Sequence, residues 1–259
     1  WIRLLYERII DSLESKETYY NAAEANKAID WIEKHCFHTE GFLAPNPLKL
    51  ELWQKALIAC VFGLYNSKDN KRQTRECVLI VARKNGKSLL CSSIAKYMMY
   101  NGDYGSRIYC LAPKLDQADI IYNNVWQMIQ LDDDWKKLRE EIQATKDVRG
   151  VKTMDDGDLA RHRQSDLYIP STNSQVKKIA FSEKRSDGFN PSLTICDEIA
   201  AWEGDRGLKQ YEVMASAMGA REMGDNPSLL LSCSTAGYIS EGIYDELLRR
   251  STHVLQGAS

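Results

Sequence analysis

The sequence lacks the features that would assign it to a membrane, secreted or zinc-binding class. No stretch of its 259 residues approaches the apolar length of a membrane span, and no signal-peptide pattern opens the chain. The seven cysteines include no CxxC pair and no cysteine–histidine cluster, which favours buried, reduced thiols over disulfides or a metal site. A net charge of −2 gives no sign of a stable nucleic-acid coat, although a small basic patch could still make transient contacts.

The composition that remains is that of an ordinary globular protein. With 44% hydrophobic and 27% charged residues, the chain can form one large core, or one domain with an appendage. Apolar residues at helical spacing predict amphipathic helices over residues 1–13 and 22–35. His35 and His38 have no third ligand nearby in the sequence, so we interpret them as packing or surface histidines. Because the chain opens on Trp1, we expect the natural N-terminus to lie upstream.

One stretch combines a strand, a polar turn and a helix. Residues 77–82 are apolar and β-branched, as in a buried strand, and residues 89–100 place apolar side chains on one helical face. The turn between them contains Arg83, Lys84, Asn85, Gly86, Lys87 and Ser88. This arrangement predicts a phosphate-binding loop, because the N–H groups and dipole at a helix start favour an anion. Lys87 would then reach the outer phosphates of a nucleotide, and Ser88 would offer its hydroxyl to Mg²⁺. The usual pattern has glycine where this chain has Val81, so a purely structural turn stays open as the alternative.

A second signal is an apolar run that ends in two carboxylates. Residues 193–196 read as a buried strand, followed directly by Asp197 and Glu198. The carboxyl ends of parallel strands are where α/β sheets bind ligands. Asp197 would hold Mg²⁺, directly or through water, and Glu198 would orient or deprotonate the attacking water. The alternative is a strand followed by a solvated acidic turn.

The remaining segments alternate in a way that predicts an α/β fold. A helix ending near residue 64, a strand at 107–112 and a helix at 116–130 indicate a largely parallel sheet. Residues 132–163 are highly charged and are expected to be less regular. Short strands are predicted at 166–169 and 178–181, with a turn at 171–174. Residues 228–237 read as a strand whose hydroxyl-rich end could sense a γ-phosphate, or could be an ordinary turn.

A glutamine precedes the predicted phosphate loop by about thirty residues. The Gln54 side chain carries a donor and an acceptor together, so it can bond the amino and ring-nitrogen edge of adenine. Its neighbour Trp53 could pack near the base or could equally belong to the core.

Taken in order, these motifs resemble the ATPase half of a tailed-phage large terminase subunit, of the type found in phages like HK97. The resemblance runs from about residue 48 to residue 237. It rests on Leu52-Trp53-Gln54 (adenine motif), residues 82–88 (a variant phosphate loop with Arg83 in place of the glycine-rich entry), residues 109–114 with Gln117-Ala118, residues 188–193 leading to Asp197-Glu198 (acidic motif), and Ser234-Thr235-Ala236 (coupling motif).

The resemblance implies a P-loop NTPase of the additional-strand catalytic-glutamate type, with a mostly parallel sheet flanked by helices. It implies a helical N-terminal segment at 1–47, an ATPase domain at 48–237, and at 238–259 the start of a lid or linker toward a nuclease domain outside this chain. ATP and Mg²⁺ are the implied cofactors. Double-stranded DNA, the portal protein, the small terminase subunit and further copies in a ring, by resemblance a pentamer, are the implied partners. The implied location is the host cytoplasm, without a membrane.

Hydrolysis of this kind needs a further cation at the γ-phosphate. Arg83 could supply it in cis from within the loop. Arg185 lies in a polar segment just before the acidic strand, where the resembled family has its trans-acting arginine, and could act on a neighbouring subunit; the alternative is a solvated basic turn. Two other functions remain open at this point, a monomeric helicase-like ATPase and a small-molecule kinase, and the Glu198 pairing argues against the kinase.

Overall fold

The computed structural model describes residues 2–149, 159–163, 165–181, 188–222, 224, 226–237 and 242–257. Within them the α-helices are α1 (Ile2–Glu14), α2 (Ala22–His35), α3 (Leu52–Gly63), α4 (Lys87–Asn101), α5 (Leu115–Leu131), α6 (Asp133–Arg149), α7 (Gly204–Ala217) and α8 (Ile243–Leu255). The strands are β1 (Thr18–Tyr20), β2 (Leu64–Asn66), β3 (Glu76–Ile80), β4 (Arg107–Ala112), β5 (Arg161–His162), β6 (Asp166–Ile169), β7 (Ser174–Ala180), β8 (Leu193–Asp197) and β9 (Leu229–Ser234).

A seven-stranded sheet organises the molecule, in the order β3-β9-β8-β4-β7-β6-β5. The pairs from β3 to β7 are parallel, whereas β6 and β5 are antiparallel additions at one edge. Strand β9 lies between β3, which leads into the predicted phosphate loop, and β8, which ends in the acidic pair. This inserted strand is the additional strand of the predicted fold class, and the mostly parallel α/β sheet is confirmed.

Both faces of the sheet are covered, and the strand side chains alternate between them as the strand period requires. On β4, Ile108 and Cys110 join a core under α2–α5, whereas Tyr109 and Leu111 join a second core with Trp202 and with residues of α7 and α8. Helices α2 and α3 pack against each other and share the first core with α4. None of the described helices is long and apolar enough to cross a membrane.

The expectation of irregular structure after residue 132 is wrong over its first half, because α6 occupies it. Asp132 starts the helix by accepting the Asp134 N–H at 3.1 Å with its carboxylate. Trp135, Leu138 and Ile142 recur at helical spacing; Ile142 is buried and Trp135 packs on the core. The charged residues between them form the solvent face. Because these residues dominate the composition of the segment, composition alone did not indicate an amphipathic helix.

Strand β7 also differs from its prediction. It begins at Ser174, inside the predicted turn, and runs to Ala180. It pairs with β4 along its whole length, from Arg107 opposite Gln175 to Ala112 opposite Ala180. The strand is therefore longer than the short strand predicted at residues 178–181, and most of its residues are only partly buried.

His35 has partners that are distant in the sequence. Its Nδ1 lies 3.1 Å from Asp132 Oδ2, which also accepts the Lys96 ammonium at 2.7 Å. Lys96 is fully buried and donates to the Met128 carbonyl and to the His35 carbonyl as well. Asp134 approaches the same histidine, so three potential metal ligands gather here. The ammonium already neutralises the central carboxylate, so this cluster is a polar tie between α2, α4 and α6.

Candidate functional site

Three neighbouring parallel strands end together and define the site. Ile80 at the end of β3 is opposite Ser234 at the end of β9, and Cys233 of β9 is opposite Asp197 at the end of β8. The chain segments that follow these ends therefore face one another, although the segment after β3 lies more than a hundred residues before the other two. This is the sheet edge at which α/β proteins bind ligands.

The first of these segments is a tight loop from Val81 to the start of α4 at Lys87. The Val81 N–H donates to the Ser234 carbonyl at 3.1 Å, and Asn85 Nδ2 bonds the Ala82 carbonyl at 3.0 Å, which closes the loop on itself. Lys84 and Gly86 both have left-handed backbone conformations, with φ of 66° and 70°. Such alternation turns successive N–H groups toward one concavity, which binds anions. The loop thus has the backbone of a phosphate cradle despite Val81.

Lys87 joins this loop to the acidic pair. Its Nζ lies 2.7 Å from Asp197 Oδ1 and 2.9 Å from Glu198 Oε1. Burial by itself lowers the pKa of an ammonium, but the two carboxylates more than offset it and hold the pKa of Lys87 above its ordinary value. Lys87 is therefore a fixed positive charge at the centre of the site.

Asp197 is held by three donors. Besides Lys87, its Oδ1 accepts the Glu198 N–H at 2.9 Å and the Cys233 thiol at 3.2 Å. A bond with the Cys91 thiol and burial raise the pKa of Cys233 well above the ordinary value, so its sulfur is a neutral donor. The role of Cys233 is not readable from the sequence, because it depends on the register of β9 against β8.

Glu198 occupies a strained backbone position, with φ of 51°. A non-glycine residue in this region costs energy and is found mostly at functional sites. Its Oε2 lies 3.4 Å from the Thr235 N–H and 3.5 Å from Ser234 Oγ. Burial raises the pKa of the Glu198 carboxyl, but Lys87, the Thr235 N–H and the Arg83 charge together bring it below its usual range. Two of the three predicted coupling residues thus touch the predicted catalytic carboxylate.

A cavity of about 350 Å³ opens over these groups, within the size range of small-molecule sites. Among the predicted site residues, its lining includes Arg83, Lys84, Gly86, Lys87, Ser88, Glu198 and Thr235. Outside the loop and α4, the lining residues that the sequence did not predict are His38, Thr39, Glu40, Ile120 and Asn124. They come from the loop before α3 and from α5, and no local pattern in either segment marks them. Ala236 is exposed at the end of β9 and is not part of this lining.

Gln54 and Trp53 are absent from the described lining of the cavity. Gln54 is buried, and its Oε1 accepts the Glu51 N–H at 2.9 Å, which caps α3. A Cβ added at Gly86 would lie 3.6 Å from Gln54 Nε2, so the free end of the amide faces the phosphate loop. Trp53 is half-buried against the first core. The adenine-reading role of Gln54 stays a prediction.

We expect Gln54→Ala to weaken binding of ATP more than binding of GTP, because adenine has an amino donor beside a ring-nitrogen acceptor at the edge where guanine has a carbonyl. Calorimetric titration of both nucleotides into the variant and the parent measures how much the affinity falls for ATP and how much it falls for GTP. An equal loss for ATP and GTP would instead assign Gln54 to capping α3 and bracing Gly86.

Of the two predicted arginines, Arg83 is exposed and borders the cavity. Its charge contributes to lowering the pKa of Glu198, and its action in cis on a γ-phosphate stays a prediction. Arg185 lies outside the described residues, and its role stays a prediction.

The comparisons with known proteins agree with this geometry. The family model "Terminase large subunit, ATPase domain" matches residues 52–252, well over half of the chain. A terminase large subunit of Enterobacteria phage HK97 is 26% identical over 235 residues, covering 88% of this chain and 41% of the relative. The large subunit of Lactococcus phage p2 is 24% identical, covering 89% of this chain and 39% of the relative.

The crystal structure of the HK97 bacteriophage large terminase superposes with a TM-score of 0.64 at 22% identity, covering 90% of this chain and 42% of that one, which supports the fold. The chain spans about two fifths of the length of the curated relatives it matches. The predicted family is thus confirmed: the chain belongs to the family of terminase large-subunit ATPase domains.

Proposed function

We propose that this chain is the ATP-hydrolysing motor domain of a phage large terminase, and that it drives double-stranded viral DNA into a procapsid. One observation carries the proposal: Lys87 of the phosphate loop is bonded to both Asp197 and Glu198 at the end of the acidic strand. A phosphate cradle, a cation and two carboxylates in contact are the parts that phosphoryl transfer to water needs.

Lys87 bonds both carboxylates of the acidic pair. A bound triphosphate offers Lys87 stronger partners than the carboxylates, so nucleotide binding would draw the ammonium onto the β- and γ-phosphates. Glu198 would then lose the charge that depresses its pKa, and its basicity would rise as substrate arrives. The site thereby links its water-activating group to the presence of ATP.

The residues present fit a magnesium ion. Hard cations of this kind prefer carboxylate, hydroxyl and phosphate oxygens, and Asp197 and Ser88 supply the first two. Departure of the lysine would remove one of the three donors on Asp197 Oδ1 and leave the charge of the carboxylate available to the ion. When bound, Mg²⁺ would neutralise charge on the phosphates. Asp197 keeps its orientation throughout, because the Cys233 thiol and the Glu198 N–H hold it.

Coupling to DNA movement is proposed for the end of β9. Ser234 and Thr235 contact Glu198, so a change at Glu198 is transmitted directly to β9 and to the segment after it. The proposed partners are double-stranded DNA, the portal protein, the small terminase subunit and further copies in a ring, by family resemblance a pentamer, in the host cytoplasm. The family match disfavours the monomeric helicase-like alternative.

The proposal is tested by measuring ATP turnover against protein concentration, with Mg²⁺ or with a chelator, and with or without double-stranded DNA and portal protein. We expect turnover that requires Mg²⁺, increases per chain as copies assemble, and increases further with DNA and portal. Turnover per chain that is independent of concentration, with single-stranded DNA the better activator, would favour the helicase-like enzyme.

Mixed assemblies test the trans-acting arginine. We expect Arg185→Ala subunits to bind ATP normally and to hydrolyse it poorly, because the cradle is intact and the extra cation is lost. Adding Lys87→Ala subunits should restore part of the activity, since an Arg185→Ala subunit can then use the arginine of its neighbour. Turnover is measured across mixing ratios under conditions where mixed rings are shown to form. Absence of rescue at every ratio would move the role to Arg83 in cis.

A further inference from the structure

A second cavity, of about 360 Å³, lies beside the segments that lead into β3 and β9. Arg72 and Asn226 line it, a few residues before these strands begin. The two strands are parallel, and their other ends carry the predicted phosphate loop and the coupling residues. The cavity is therefore at the opposite edge of the sheet from Lys87, and the proposed ATPase mechanism uses none of its residues.

Arg72 is a buried cation that lacks a counter-charge. It is only 5% exposed. Its guanidinium donates to the Thr74 and Pro227 carbonyls, and its Cζ lies 6.0 Å from the centre of the Phe62 ring. These two bonds use two of the five N–H groups, and among the described residues none of its partners is a carboxylate. Burial, together with the Arg75 charge, lowers the pKa of Arg72 to about 10, as expected for a positive charge without a neutralising partner.

The lining around Arg72 offers neutral hydrogen-bond donors. Burial raises the pKa of Tyr97 to about 12 and raises the pKa of Tyr65 above its ordinary value, so both phenols keep their protons. Asn21, the N-cap of α2, also lines the cavity, and its Oδ1 accepts the Glu24 N–H at 3.2 Å. Its amide nitrogen is therefore the end that can donate to a ligand. Helix α2 thus begins at this cavity, and the N-terminus of a helix favours negative charge.

The negative groups at the cavity already have partners. Glu24 belongs to the lining, and its carboxylate lies 3.6 Å from the ammonium of Lys27, which lines the cavity as well. The last turn of α4 is also part of the wall, and there the Gly102 N–H bonds the Met98 carbonyl at 3.1 Å. The charge that stays uncompensated is that of Arg72, so the ligand that fits this cavity is an anion.

We propose that this cavity is a second anion site, which binds a small oxyanion, a phosphate or a carboxylate, on the guanidinium of Arg72. The planar fork of a guanidinium matches the paired oxygens of either group. The ligand would supply the counter-charge that the described part of the chain does not. Because Arg72 also ties the segment before β3 to the segment before β9, binding would stabilise both.

The site is tested by calorimetric titration of inorganic phosphate and, separately, of acetate, at an ionic strength held constant with chloride. Phosphate can also bind the phosphate loop, so the titrations use Lys87→Ala, in which that loop has lost its cation. We expect an anion to bind this protein, and we expect an added Tyr97→Phe to weaken binding about three- to tenfold, the loss of one hydrogen bond. The matched control is Tyr104→Phe, at a tyrosine that is 75% exposed and absent from the described lining, which should change nothing. The anion that binds more tightly identifies the class of ligand.

Two further variants separate anion recognition from a structural role. Glu24→Gln should strengthen binding by a few fold, because it removes a negative charge beside the ligand. Arg72→Lys keeps the charge but not the planar fork, so it should weaken binding at least as much as Tyr97→Phe.

No binding of either anion, or equal affinity in the Tyr97→Phe and Tyr104→Phe proteins, would overturn the site. Asp225 lies outside the described residues, so Asp225→Asn is titrated too. An anion that binds only after this substitution would make Asp225 the counter-charge of Arg72 and would also overturn the site. If the parent binds no ATP while the anion still binds here, the proposed function fails and this site stands.

Discussion

Lys87→Ala is expected to abolish ATP hydrolysis. Lys87 is the buried cation at the end of the predicted phosphate loop, and its Nζ lies within hydrogen-bond distance of both carboxylates of the acidic pair. Removing one preorganised group that stabilises transition-state charge typically lowers turnover about 10²- to 10³-fold, and a full charge on the reacting phosphates supports a loss at the upper end. Steady-state turnover with saturating ATP and Mg²⁺ measures it.

The Lys87→Ala protein is expected to stay folded, with a lower free energy of unfolding than the parent. Removing Lys87 leaves the buried Asp197 without its counter-charge, but the Glu198 N–H and the Cys233 thiol still bond its carboxylate. Thermal unfolding and circular dichroism should therefore show a folded protein of lower stability. Lys68→Ala, at an exposed lysine in the loop after β2, is the control and should turn over ATP like the parent. Near-parental turnover in a folded Lys87→Ala protein would contradict the prediction that this loop binds the phosphates.

Glu198→Gln is expected to retain ATP binding and to lose turnover. The amide keeps the size of the side chain and its contact with the Thr235 N–H, but it has no basicity with which to activate water. General-base catalysis contributes typically 10²–10⁴-fold, which sets the range of the expected loss. A single-turnover experiment with labelled ATP separates binding from the chemical step.

The resting ion pair adds a second expectation for the same variant. Glutamine cannot hold Lys87 by charge, so ATP should bind Glu198→Gln at least as tightly as it binds the parent. Asp197→Asn differs, because it should weaken the part of nucleotide affinity that depends on Mg²⁺. Titrations of ATP with Mg²⁺ and with a chelator distinguish the two variants. If both variants hydrolyse ATP normally, the acidic pair is only a solvated turn.

In the proposed mechanism Lys87 has two alternative sets of partners, the carboxylates of Asp197 and Glu198 and the phosphates of ATP. It neutralises two carboxylates that would otherwise repel each other and a triphosphate. In the proposed mechanism its charge moves onto the phosphates of ATP. Glu198 contacts Ser234 at the end of β9 and Thr235 just after it, and we propose that this strand end responds to that exchange.

Those parts of the site that are continuous in the chain were determined by the sequence alone. The strand, turn and helix around Lys87 are a local unit, because a glycine and a helix start suffice to form the cradle. The acidic pair at Asp197 and Glu198 is equally local, and the rule that parallel strand ends meet at one edge was enough to bring it to the loop.

The tertiary structure decided whatever depends on register and strand order. Cys233 bonds Asp197 only because β9 lies between β3 and β8 with these two residues opposite each other. Thr39 and Asn124 line the same cavity only because α5 packs beside α4 and the segment between α2 and α3 contacts α5. Such contacts join segments that share no local pattern; their free energy comes from packing of the whole core, which a short stretch of sequence does not encode.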